Sequence, residues 1–178
     1  MPIPKITGQV TSLNYLSFDG TNENFTMVQG NTNITPKLSA SLGIGDYWTH
    51  SANKNTHKPA FEAKLKYNIN NNLNAQARFR EIGGTEQYRV AFGGSCKFDK
   101  HQSIYAAVHT TAKDSDKWSF NAGGWIGYTY KFNNGIAISG ELQQNIPLNK
   151  TAPSFGRTVS NFDDSNKMFN VIVSVPLK

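Results

Sequence analysis

Residues 118–145 read WSFNAGGWIGYTYKF, then NNG, then IAISGELQQN, and their alternation decides the fold. Trp118, Phe120, Ala122, Gly124, Ile126, Tyr128, Tyr130 and Phe132 share one parity, while Ser119, Asn121, Gly123, Trp125, Gly127, Thr129 and Lys131 share the other. Successive side chains of a strand point to opposite faces, so one face is apolar with aromatics towards both ends and the other is mostly small or polar. Asn133-Asn134-Gly135 supplies the positive φ angles of a tight hairpin turn. The next strand sets Ile136, Ile138, Gly140 and Leu142 against Ala137, Ser139, Glu141 and Gln143.

The same period continues in both directions from this hairpin. Leu38, Ala40, Leu42 and Ile44 alternate with Lys37, Ser39, Ser41 and Gly43; Phe61 to Ile69 alternate with Glu62, Lys64, Lys66 and Asn68. Leu73, Ala75, Ala77 and Phe79 oppose Asn74, Gln76, Arg78 and Arg80, and Tyr88 to Phe98 oppose Arg89, Ala91, Gly93, Ser95 and Lys97. Ile104, Ala106 and Val108 follow, and Phe169 to Leu177 form a last strand. This gives about eight strands and no helical period. Short connections follow Ile69, Phe98 and Phe132, and generally longer ones occupy 45–59, 82–86, 111–117 and 147–167. All short turns then fall on one rim and all longer loops on the other. Residues 1–36 alternate poorly. They are expected to be a separate N-terminal segment beside a barrel of residues 37–178, serving as an extra hairpin (ten strands), a plug or an extension.

The chain has 178 residues, one cysteine and a formal charge of +6. No apolar run reaches the roughly 18 residues of a membrane helix, but a membrane barrel needs only alternate apolar residues. Lysine and arginine are spread over many strands, so nucleic acid is not the expected partner. Cys96 alone supports no disulfide or cysteine zinc cluster. The first ten residues, MPIPKITGQV, contain no apolar h-region and no cleavage site, so an exported chain would have had its signal removed.

Two closed antiparallel barrels fit this alternation. A soluble lipocalin-like barrel would turn its apolar face inward around a small apolar ligand. A transmembrane barrel would turn it outward. The small residues Ala40, Ala63, Ala75, Ala77, Ala106, Gly124 and Gly140 fill a core poorly, which favours the outward choice. So do the rim asymmetry and the aromatics near strand ends, Phe61, Tyr67, Phe79, Tyr88, Phe98, Trp118, Phe120, Tyr128, Tyr130 and Phe132, expected as lipid-facing girdles. In this pattern residues 37–178 resemble the small bacterial outer-membrane barrels of the OmpA/OmpX type. Members of that class commonly end in an aromatic residue, whereas this chain ends Val175-Pro176-Leu177-Lys178. The resemblance implies an outer-membrane location, with membrane lipid or lipopolysaccharide as partner and a structural, surface-interaction or narrow-pore role.

The opposite parity carries the chemistry. Lys37, Glu62, Lys64, Lys66, Arg78, Arg80, Arg89, Lys97, Trp125, Lys131 and Glu141 are expected in the lumen, as a salt-bridged plug or a narrow anion-preferring pore. His50, His57, His101 and His109 have no metal-ligand spacing, and no cofactor is expected. His101-Gln102-Ser103 is similar to the His-x-Ser of outer-membrane lipid A deacylases but lacks their surrounding pattern. No nucleophile elbow or dinucleotide fingerprint is present, so the chain is not expected to be an enzyme. A surface ligand would be held by the loops at 45–59 (Tyr47, Trp48, His50) and 147–167 (Phe155, Arg157, Phe162, Asp163, Asp164).

Overall fold

A computed structural model describes residues 5–17, 22–51, 54–114, 118–148, 153–154, 157–158 and 167–177. The described residues form twelve strands: β1 (Ile6–Ser17), β2 (Asn22–Asn33), β3 (Leu38–Ser51), β4 (Lys54–Asn68), β5 (Leu73–Ile82), β6 (Thr85–Lys97), β7 (Gln102–Asp114), β8 (Ser119–Lys131), β9 (Ala137–Pro147), β10 (Pro153–Ser154), β11 (Arg157–Thr158) and β12 (Lys167–Leu177). Ten of them close an antiparallel barrel in the order β1-β12-β9-β8-β7-β6-β5-β4-β3-β2, and β10 pairs with β11 in a separate two-stranded sheet. The strand count is therefore ten rather than eight. The N-terminal segment supplies the extra hairpin, with Gly8 opposite Leu177 on one side and Val28 opposite Ile44 on the other.

The expected rim asymmetry comes down to the β9–β12 connection, for which the long-loop rim is named. On that rim two residues join β3 to β4 and Gly83-Gly84 joins β5 to β6, against four or five residues at each turn of the short-turn rim. Each turn of the short-turn rim is closed by a side-chain acceptor that takes up free backbone N–H groups, as turn-forming Asn, Asp and Thr do. Thr35 Oγ1 accepts from the Lys37 and Leu38 amides, Asn70 Oδ1 from Asn72 and Leu73, and Asn134 Oδ1 from Ile136. Asp99 Oδ1 accepts from His101 and Gln102 at 2.6 and 2.7 Å, which holds its carboxyl below the usual range. Gly135, at φ 89°, returns its amide to the Phe132 carbonyl at 3.0 Å, the three-residue hairpin loop with a left-handed third position.

On the other rim the expected loop at 45–59 is mostly strand, and the one at 111–117 begins as strand, since β7 runs to Asp114. Residues 45–51 and 54–59 continue β3 and β4, with Asp46 opposite Pro59, Trp48 opposite His57 and Ser51 opposite Lys54. Polar residues occupy both faces of this extension, so hydropathy hid the strands. The ladder satisfies the backbone whatever the side chains are. Most of 147–167, including Phe155, Phe162, Asp163 and Asp164, lies outside the described residues, and Arg157 begins β11.

The barrel is inverted relative to a soluble core. Its exposed residues include Leu42 (59%), Val90 (63%), Val108 (64%) and Ile126 (58%), whereas Glu62 (3%) and Arg80 (1%) are buried inside. Over residues 12–15 of β1 and 24–27 of β2 this polarity is reversed, whereas Val28 stays exposed and Thr11 and Gln29 stay buried inside. Ser12, Asn14, Asn24 and Thr26 face outward and bond one another, Asn24 Nδ2 donating to Asn14 Oδ1 at 2.7 Å and to Ser12 Oγ at 3.1 Å. Tyr15, Phe25 and Met27 point inward and cluster with Tyr47, Ala60, Ile82 and Met168. These side chains fill the long-loop half of the lumen, and burying each large one contributes about 1.5–3 kcal/mol. Ten strands make a wider barrel than eight. The N-terminal hairpin brings the apolar side chains that fill the added width.

Candidate functional site

Strands β4, β5 and β6 build the site through their register. Lys64 lies directly opposite Arg78, and Arg78 directly opposite Arg89, so three cations share one cross-strand row. Like charges directly opposed on neighbouring strands are destabilising, so the row needs compensation. One step towards the long-loop rim, Glu62 lies opposite Arg80. Glu62 Oε2 accepts from Arg80 Nη2 at 2.6 Å and Nε at 2.9 Å, and Oε1 accepts from Gln29 Nε2 at 3.3 Å. Arg80 also sits 4.2 Å over the Phe25 ring and donates to the Tyr15 hydroxyl at 3.4 Å, which ties the ion pair to the apolar cluster.

The other carboxylate is held separately. Glu141 accepts from Asn170 Nδ2 at 2.7 Å and from the Tyr105 hydroxyl at 3.1 Å. Tyr105 reaches it by lying across Gly127, where an added Cβ would strike the ring. A glycine that lets a neighbouring aromatic cross the strand explains an otherwise costly residue in a strand interior. Arg89 donates to Thr111 Oγ1 at 2.9 Å and stands 5.6 Å from the Trp125 ring, which in turn lies 5.1 Å from His109. Trp125 thus occupies the lumen.

These groups enclose a cavity of about 340 Å³ whose lining includes Glu62, Lys64, Arg78, Arg89, Trp125 and Glu141. A larger trough of about 980 Å³ runs along Val90, Val108, Gly124, Ile126 and Leu142; it belongs mainly to the apolar outer wall. Lys66 lies nearer the short-turn rim and lines a second polar cavity together with Lys5, Asn31 and Ser41.

Three expected lumen residues lie elsewhere. Lys37 is exposed in the turn between β2 and β3, and Lys97 and Lys131 are exposed at the short-turn ends of β6 and β8. Parity gave them the inward face, but at a strand end that face opens to water. The aromatics stand outward: Phe61, Phe79, Tyr88, Trp118 and Phe120 follow one another at ring separations of 5.2–6.3 Å where they are adjacent. Tyr67, Phe98, Tyr128, Tyr130 and Phe132 are exposed towards the short-turn rim. His101 meets the Lys131 carbonyl at 2.7 Å and stacks on Tyr130, whereas Ser103 pairs with Thr129. The deacylase-like pair is not assembled. His57 instead pairs with Asp46 at 2.6 Å beside Trp48, outside the barrel on the β3–β4 extension.

Sequence reasoning missed Tyr15, Phe25, Met27, Gln29, Tyr105 and Asn170. Their alternation was present, but polarity reversal on β1 and β2 disguised the first three. The amide and hydroxyl partners carry no hydropathy signal.

Fold and lumen together define a closed ten-stranded antiparallel barrel with a charged interior and an apolar exterior. No family model and no curated protein sequence matches the chain. Among solved structures, the chain is similar to the NanC porin at 12% identity and TM-score 0.44, covering 96% of this chain and 99% of that one. It is also similar to in-vitro folded OmpT, an outer membrane protein of Vibrio cholerae, at 12% identity and TM-score 0.41, covering 95% of this chain. The chain spans 64% of the length of that OmpT.

Proposed function

We propose that this chain is a non-enzymatic β-barrel of a bacterial outer membrane, with a structural or surface-interaction role and a lumen closed on its long-loop side. The observation that carries this reading is the inversion: Leu42, Val90, Val108 and Ile126 are more than half exposed while Glu62 and Arg80 are buried. Soluble monomers rarely expose contiguous apolar patches beyond a few hundred Å². Along β6 and into the residue that follows it, the outward face is apolar or small from Tyr88 to Phe98. At the rise and tilt of barrel strands that stretch spans about 25 Å, the height of the apolar band of outer-membrane barrels. Membrane lipid or lipopolysaccharide is the partner of that wall. A lipocalin-like role would need an apolar cavity inside, and the lumen cavity instead carries the charged groups Glu62, Lys64, Arg78, Arg80, Arg89 and Glu141 in its lining.

A narrow anion-preferring pore is the second reading. The Lys64–Arg78–Arg89 row favours it, since rings of Arg and Lys select anions. It requires the cluster around Phe25 and Tyr47 to part.

Extraction tests the main reading. The protein is expected to leave the membrane fraction only with detergent and to migrate faster on a gel when unheated than when boiled. Recorded in planar bilayers, the same preparation is expected to be silent. Monodisperse behaviour in plain buffer, with no heat-dependent migration, would refute the membrane barrel, and frequent anion-selective steps would favour the pore over the plug.

A further inference from the structure

We propose that the lumen cavity is a binding site for a small oxyanion, a carboxylate or a phosphate, gripped by the Arg78 guanidinium between Lys64 and Arg89. This deepens the closed-lumen reading and rests on it. The first ground is charge. The cavity lining carries four cations, Lys64, Arg78, Arg80 and Arg89, against two carboxylates, Glu62 and Glu141. Both carboxylates are already engaged, Glu62 by Arg80 and Glu141 by Asn170 and Tyr105. The excess of two positive charges matches one phosphate dianion and exceeds one carboxylate.

The second ground is geometry. Arg78 Nε and Nη2 are buried without a hydrogen-bond partner. These two atoms form one edge of the guanidinium, the edge that offers parallel N–H groups to a carboxylate or phosphate. Arg80 directs the same edge at Glu62 Oε2, at 2.9 and 2.6 Å. For Arg78 that oxygen is 3.9 Å from Nε, beyond hydrogen-bond reach. A buried donor left unpaired is costly, and more so when charged, so the fork is a built half of a bidentate contact. The cavity, at about 340 Å³, lies at the small end of ligand pockets. Lys64 also lines the second cavity, with Lys66 and Lys5, which gives an anion a cationic approach from the short-turn side.

Calorimetric titration of the detergent-solubilised protein with inorganic phosphate, and separately with acetate, tests the site. Saturable binding is expected, with phosphate tighter than acetate, and Arg78→Gln is expected to weaken it roughly tenfold or more. Arg78→Lys keeps the charge and loses the fork, so it is expected to weaken phosphate binding as well. A thermal melt without anion checks that folding is intact: Arg78→Gln is expected to melt at or near the wild-type temperature, because it removes two buried donors without hydrogen-bond partners and only a 3.9 Å contact with Glu62, whereas Arg80→Gln melts lower. Wild-type protein with heat-modifiable migration that binds neither anion, or an Arg78→Gln variant that binds phosphate as well as wild type, would overturn the proposal. Binding by protein that is soluble without detergent would keep the anion site and overturn the membrane reading.

Discussion

Glu62→Gln is expected to destabilise the barrel by about 3–5 kcal/mol, the penalty for breaking a buried ion pair by removing one partner. The substitution nearly conserves volume, so packing is not the cause. Arg80 would keep its place under Phe25 with its strongest acceptor neutralised, and Arg78, 3.9 Å from the same carboxylate, would lose its nearest counter-charge. Of the charged groups lining the cavity, Lys64, Arg78, Arg80 and Arg89 would then be left with Glu141. Unfolding by urea in detergent micelles, followed by the loss of heat-modifiable migration, measures the effect. Adding Arg80→Met to Glu62→Gln is expected to recover a large part of the loss, since replacing both partners of a buried pair by neutral side chains is often nearly neutral. A single-substitution effect below about 1 kcal/mol, the size of an exposed ion pair, would show that the pair does not hold the lumen together.

Ile126→Arg is expected to cost about 2–4 kcal/mol in a lipid bilayer, the penalty for a cation at the midplane of a lipid-facing barrel strand. Ile126 lies on β8 midway between Phe120 and Phe132 and is 58% exposed. If this barrel stood in water with its outer wall unchanged, the same residue would meet solvent, and an exposed substitution of this kind is usually within about 0.5 kcal/mol of neutral. The same change therefore separates two environments for one geometry. Reversible unfolding from phospholipid vesicles gives the number.

How much of this was legible in the sequence depended on what each face of a strand meets. Most of β5 to β9 and β12, and the short-turn halves of β3 and β4, could be read because one face is apolar there; the alternation of Phe61 to Tyr67, or of Phe169 to Leu177, has no other cause. β1 and β2 carry the same period, but its sign reverses part of the way along each strand. Ser12, Asn14, Asn24 and Thr26 outside and Tyr15, Phe25 and Met27 inside gave a pattern that could not be phased with the rest until the register with β12 and β3 was known. The upper halves of β3 and β4 were hidden for another reason. Asp46, Trp48 and His57 lie outside and Tyr47 inside, so neither face is uniformly greasy and only the hydrogen-bond ladder marks the strands.

The site was legible as a set and not as an arrangement. Parity placed Glu62, Lys64, Arg78, Arg80 and Arg89 on one face, but only register shows that Arg80 takes the carboxylate while Arg78 stands between two other cations. Lys37, Lys97 and Lys131 were misplaced because parity is silent about where a strand leaves the barrel.

The inversion itself is tested most directly by its tryptophans. Trp118 is 48% exposed on the outer wall, beside Phe120 and Tyr88, and Trp125 lies in the lumen against Arg89 and His109. With Trp48 replaced by Phe, variants retaining only Trp118 or only Trp125 are reconstituted in vesicles whose acyl chains carry bromine, a contact quencher. Strong quenching of Trp118 with Trp125 nearly unaffected is the predicted result. Equal quenching of the two, or quenching of Trp125 alone, would contradict an apolar wall facing lipid around a charged lumen.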